Sequence, residues 1–127
     1  MRRSLVLVTA GAFALAAGAI TAQETAVVEQ GKVVFQHYCA PCHGDGCGDD
    51  GAPMLPGTHA LYLKYKGQKP ELLEQRMDLP AEFIRAIVRN GVASMPPFRK
   101  TEVTDEDIAA LAAYLAASSR ARSRQSP

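Results

Sequence analysis

The chain has 127 residues, with 14 Lys and Arg against 13 Asp and Glu and a formal net charge of +1. That length suits one domain, and the near-neutral balance excludes the strongly basic, nucleic-acid-binding class. There is no Trp and only four Phe and four Tyr, so the core is thin for its size and gains from a built-in apolar centre.

Arg2-Arg3 makes a short basic start, and Leu5 to Ile20 is an uncharged run rich in Ala, Leu and Val. Small residues follow, with cleavage after Ala22 or, by the Ala17-x-Ala19 pattern, after Ala19. Residues 1–22 therefore read as a secretory signal peptide, which predicts export to the bacterial periplasm or an equivalent compartment. The alternative is a retained membrane anchor, since the run from Ser4 to Gln23 is nearly long enough to span a bilayer. Its many Ala and Gly make it weakly apolar. Without residues 1–22 the chain keeps 12 basic residues against 13 acidic; without Arg120, Arg122 and Arg124 as well it has 9 against 13.

From Val27 to Tyr38, Val27, Val28, Val33, Val34 and Phe35 are spaced like a helix face. Gly31 is a poor helix former, and its place in this run predicts the close approach of a second helix near Phe35. His37 reads as a packed or surface histidine.

Cys39-Ala40-Pro41-Cys42-His43 then reads Cys-x-x-Cys-His, the attachment signature of a c-type haem. Two thiols three residues apart form thioethers to the two vinyl groups at one porphyrin edge, and the next residue presents an imidazole to the iron. Cys39 and Cys42 are the expected covalent anchors, and His43 the proximal axial ligand. A thioredoxin-like redox pair wants a strand before it and a long helix after it, whereas here a glycine-rich loop follows. A zinc site on Cys39, Cys42 and Cys47 lacks a second ligand pair.

Gly44 to Gly57 holds five Gly, two Pro and three Asp and reads as a solvated loop. Asp45, Asp49 and Asp50 do not match calcium-loop spacing. Cys47 is the odd cysteine: a small buried hydrophobe, a free thiol or an intermolecular partner. Leu61, Tyr62, Leu63 and Tyr65 follow with Lys64 and Lys66, and Pro70 suits the start of a short helix over Glu71 to Arg76.

Pro80 opens the next helix and Asn90-Gly91 closes it. Phe83, Ile84, Ile87 and Val88 make its apolar stripe, with Glu82, Arg85 and Arg89 opposite. Met95 comes next, ahead of Pro96 and Pro97, and is the expected sixth iron ligand. It lies 52 residues beyond His43, on a stiffened loop able to reach the opposite face of the iron. Met54, 11 residues after His43, has a short reach around a porphyrin, and Met77 has no comparable rigid flank. Met/His ligation favours the ferrous state relative to bis-His.

Thr104 caps the last helix, and Asp107 completes a box-like arrangement. Asp105, Glu106 and Asp107 suit the positive end of its dipole. Ile108, Leu111, Tyr114 and Leu115 form one face, predicted to cross the first helix at Gly31 with Tyr114 against Phe35. The domain is expected to cover residues 23–119, followed by a basic, disordered tail over 120–127.

At Cys39–His43, Gly31/Phe35, Met95-Pro96 and the Tyr114 helix, the sequence resembles the small class I cytochromes c. The resemblance implies an all-α fold of three to five helices around one covalent haem c. Val88-Arg89-Asn90-Gly91, Met95-Pro96-Pro97-Phe98 and the Asp-rich cap are similar to the cytochrome subunit of p-cresol methylhydroxylase-type flavocytochromes, which oxidise 4-alkylphenols. That likeness implies a periplasmic electron carrier, with no bond chemistry of its own. Its donor would be an FAD-containing dehydrogenase subunit, and its acceptor a small soluble protein such as azurin or another cytochrome. The alternatives are a free carrier between a respiratory complex and an oxidase, or a haem enzyme or gas sensor with an open sixth site.

Overall fold

The computed structural model describes residues 12–125. Helix α1 spans Ala12–Val34, passes into a π turn at Phe35–Cys39 and then into the short α2, Ala40–His43. α3 spans Pro56–Tyr65, a 3-10 turn spans Leu73–Gln75, α4 spans Ala81–Asn90 and α5 spans Asp105–Ser123. Among the described residues there is no β-strand, only a bridge between Val92 and Met95, and the fold is all-α, as the resemblance implies. Arg2-Arg3 and the first part of the expected leader lie outside the described residues, and both expected cleavage points fall within α1.

α1 and α5 make the most extensive pairing. Their axes close in at Gly31, where an added Cβ would lie 2.0 Å from the Ala110 carbonyl oxygen and 2.8 Å from Tyr114 Cβ. No other residue type fits there, and α1 runs through Gly31 without a break. One turn on, the Phe35 and Tyr114 rings meet at 5.6 Å. Gln30 Nε2 donates to Asp107 Oδ1 at 3.0 Å along the same seam. The core then gathers Val34 and Phe35, Ile84 and Val88 of α4, Val103, and Ile108, Leu111 and Leu115 of α5.

Several expectations need correction. Val33 is 63% exposed and Val27 also faces outward, because the buried face of α1 is set by Gly31, Val34 and Phe35 at i, i+3 and i+4. Phe83 is 48% exposed; Ile84 and Val88, one turn apart, take the core side of α4, and Phe83 lies about 100° around from Ile84. Glu71 to Arg76 forms only the Leu73–Gln75 turn, with Leu72 and Arg76 extended. Arg76, 4% exposed, lies 4.6 Å from the Tyr65 ring centroid and donates two hydrogen bonds to Asp78, which draws the chain out of helical geometry. The Tyr114 hydroxyl donates to Glu74 and ties this turn to α5. The expected disordered tail is helical through Ser123, and Ser119 is buried. Ala116 and Ala117 carry the helix forward, and Arg120 and Arg122 suit the negative end of its dipole; residues 126–127 lie outside the described residues.

The start of α5 matches its expectation. Thr104 Oγ1 accepts from the Asp107 N–H at 3.1 Å, and Asp107 Oδ2 accepts from the Thr104 N–H at 3.0 Å. Beside it, Asp105 collects Arg89 and Arg85 at 2.8 and 2.9 Å and Lys100 at 3.0 Å.

Two outcomes follow from this packing. Gly31→Ala forces α1 and α5 apart and is expected to lower stability by about 3 kcal/mol or prevent folding. A urea unfolding curve indistinguishable from wild type would contradict the helix crossing. The Arg89 and Lys100 hydrogen bonds hold the Asp105 carboxyl at about 2, below its ordinary 3.8. A depressed carboxylate contributes stability above its ordinary pKa and loses it as pH falls through the folded value. The gap in urea midpoint between wild type and Asp105→Asn should therefore be constant at neutral pH and close between 3.8 and about 2. A gap that stays open at the acid end would contradict the ion-pair hub.

Candidate haem site

Cys39, Cys42 and His43 lie where the first helix changes its winding. The Ala40 N–H donates to the Phe35 carbonyl, five residues back, one more than an α-helix allows. The extra residue turns everything after it by about 100° relative to an uninterrupted α-helix. Phe35 stays in the core, Cys39 is half-buried against it, and Cys42 faces outward. Burial, and then the neighbouring Cys42, push the Cys39 thiol up to about 11.

His43 is seated by α3. An added Cβ at Gly57 would lie 2.6 Å from His43 Cε1 and 2.8 Å from Nδ1, so the first turn of α3 closes on the imidazole only because residue 57 is glycine. The buried Thr58 hydroxyl donates to the Gly44 carbonyl at 2.9 Å and pins the start of the loop to that same turn. His43 Nδ1 is buried without a hydrogen-bond partner. Burial lowers the pKa of the ring, which favours the neutral imidazole, the form that ligates metals. With Nδ1 enclosed by protein, Nε2 is the nitrogen left for an iron. Two thiols beside a neutral imidazole fit a covalent haem.

Met95 lies on a loop held by its own backbone. The Val92 N–H donates to the Met95 carbonyl at 3.1 Å, and the Met95 N–H to the Val92 carbonyl at 2.9 Å. Ala93 begins the enclosed two-residue turn with φ +52°, a position usually given to glycine. Gly91 has φ +68°, and a Cβ there would meet the Met95 oxygen at 2.5 Å. The Phe98 N–H donates to the Val88 carbonyl at 2.8 Å. The Phe98 ring packs edge-on to Tyr38 at 5.9 Å, which brings the Met95 segment against the residue that precedes Cys39.

Met54 and Met77 are placed differently. Met54 is half-buried in the loop, three residues before Gly57. Met77 is 73% exposed. His37 is exposed, with its ring 4.5 Å from Tyr38. Cys47 is exposed in the loop, and Asp50 Oδ1 accepts from its own chain at the Ala52 N–H. Among the described residues no three His, Cys, Asp or Glu side chains group as a metal site.

Gly57 and Thr58 carry no signal in the sequence, since a glycine after a proline in a glycine-rich loop does not show which ring it will meet; Arg89 stands on the expected polar face of α4, but its bond to the Phe98 carbonyl forms only on folding. Among the described residues no helix is long and apolar enough to cross a membrane.

Residues 26–115 match the family model described as cytochrome c oxidase, cbb3-type, subunit III. The chain is 30% identical over 115 residues to the cytochrome c subunit of 4-cresol dehydrogenase [hydroxylating] from Pseudomonas putida, covering 91% of this chain and 83% of that protein. It is also 32% identical over 100 residues to the cbb3-type cytochrome c oxidase subunit CcoP of Azospirillum sp. (strain B510), covering 74% of this chain and 29% of that protein. No solved structure matches it significantly. The chain belongs to the cytochrome c family represented by subunit III of the cbb3-type oxidases, and its cofactor is a covalently bound haem c with iron.

Proposed function

We propose that this cytochrome c accepts single electrons from an FAD-containing dehydrogenase acting on 4-alkylphenols and passes them to a small soluble acceptor such as azurin or another cytochrome. The observation that carries the partner is the likeness to the cytochrome c subunit of a 4-cresol dehydrogenase, which spans 83% of that subunit. The likeness to CcoP favours a second reading, a free carrier that delivers electrons towards an oxidase, but it covers only 29% of that larger protein. Export to the periplasm under the leader of residues 1–22 belongs to the same proposal.

The bound haem supplies reversible one-electron chemistry at iron. Cys39 and Cys42 would add their sulfurs across its two vinyl groups. His43, wedged by Gly57, would present Nε2 to the proximal face. Met95 would supply the distal thioether. The Tyr38–Phe98 contact supports that pairing, and the short reach of Met54, 11 residues after His43, speaks against it as the distal ligand. With both axial positions filled by protein, small molecules are kept off the metal, as electron transfer requires and a gas sensor or haem enzyme does not.

The test has two arms. The ferric protein is expected to show a weak sulfur–iron charge-transfer band at about 695 nm, lost in Met95→Ala and kept in Met54→Ala. The reverse pattern would overturn the ligand assignment. Tagged holoprotein expressed in its native host is expected to copurify with a flavoprotein whose flavin, reduced by 4-cresol, reduces the haem. Recovery with an oxidase and no flavoprotein would favour the second reading.

A further inference from the structure

The geometry points to Arg89 as the residue that positions the Met95 thioether, by clamping the far end of its loop to α4 and α5 at once. This inference rests on the assignment of Met95 as distal ligand. Arg89 is the last basic residue of α4, and its side chain is 17% exposed. Its Nη1 donates to the Phe98 carbonyl at 3.0 Å, and its Nη2 donates to Asp105 Oδ1 at 2.8 Å. Its Nε is buried without a partner, so those two bonds hold the guanidinium. Phe98 is thereby gripped on both sides of its peptide, since its N–H already donates to the Val88 carbonyl at 2.8 Å.

The Val92–Met95 backbone pair closes the turn itself, while its side chains are turned outward. Val92, Ala93, Ser94, Pro96 and Pro97 are exposed, and the two-residue turn starts at a strained Ala93. The contact between α4 and α5 is different in kind: it rests on Ile84, Val88, Ile108 and Leu111 in the core. Charged hydrogen bonds to a half-buried guanidinium are worth more than neutral ones. Removing them therefore acts on the loop more than on the helices. Asp105 orients the clamp and is itself held by Arg85 and Lys100. The sulfur of Met95 is then kept at the iron by a residue that touches neither.

The experiment is a urea titration of the ferric holoprotein that follows the sulfur–iron band and the far-ultraviolet ellipticity in the same samples. Arg89→Met keeps the apolar stem and removes the guanidinium. It is expected to lose the band at about 1 M lower urea than wild type, with a much smaller shift in ellipticity and a lower reduction potential wherever the band is lost. Arg89→Lys, which keeps one charged donor for Asp105 but not a second for the Phe98 carbonyl, should shift the band in the same direction by less, and it serves as the test if Arg89→Met does not fold. Band and ellipticity moving together in both variants would make Arg89 a general stabiliser and overturn the proposal, as would a band that does not move. A band abolished by Met95→Ala but unmoved in Arg89→Met removes the role of Arg89 alone. A band that survives Met95→Ala removes the ligand assignment and the clamp together.

Discussion

At Gly31 the backbone of α1 lies so near the backbone of α5 at Ala110 that a Cβ has no room. A missing side chain lets two helices touch, and everything else is placed by that contact. It sets Phe35 against Tyr114 and so fixes the end of α1 in both position and rotation. The π turn then re-aims the chain, and Cys39 and His43 emerge at the rim of the core and not inside it. A helix that only formed would leave their direction open; a helix clamped at Gly31 and re-phased at Phe35 does not.

The two sides of the candidate haem site are supported by different physics. On the His43 side the constraint is steric: Gly57 admits the imidazole, and the Thr58 hydroxyl anchors the turn that holds it. Its cost is an unpaired nitrogen, which is consistent with a ring whose orientation is fixed for its other nitrogen. On the Met95 side the constraint is polar: backbone pairs within the turn, and a guanidinium shared between Phe98 and Asp105. The half-buried imidazole is held by packing, whereas the Met95 loop is held by hydrogen bonds.

Much of this was legible in the residues. Gly31 as a crossing point, Tyr114 against Phe35, the Pro80 and Gly91 boundaries and the Thr104–Asp107 box all express local rules, where one residue type has one strong physical use. The misses have a common cause. Phe83, Val27 and Val33 are apolar, and periodicity alone does not say which of two adjacent stripes a neighbouring helix will take. The π turn depends on tertiary packing around Phe35. The roles of Arg76 and Arg89 were not legible because their partners, Tyr65, Asp78, Phe98 and Asp105, are fixed against them only by folding. The tail was read as disordered from its charge, yet its Ala-rich lead-in carries α5 on to Ser123.

The account stands on thioether attachment at Cys39 and Cys42. Its most direct test is the pyridine haemochrome spectrum of the exported protein beside that of a Cys39→Ser, Cys42→Ser variant. The account predicts the spectrum of a haem with both vinyl groups saturated in the native chain, and no haem retained by the variant after acid–acetone extraction. A colourless native protein, or one whose haem is extracted with its vinyl groups intact, would contradict it.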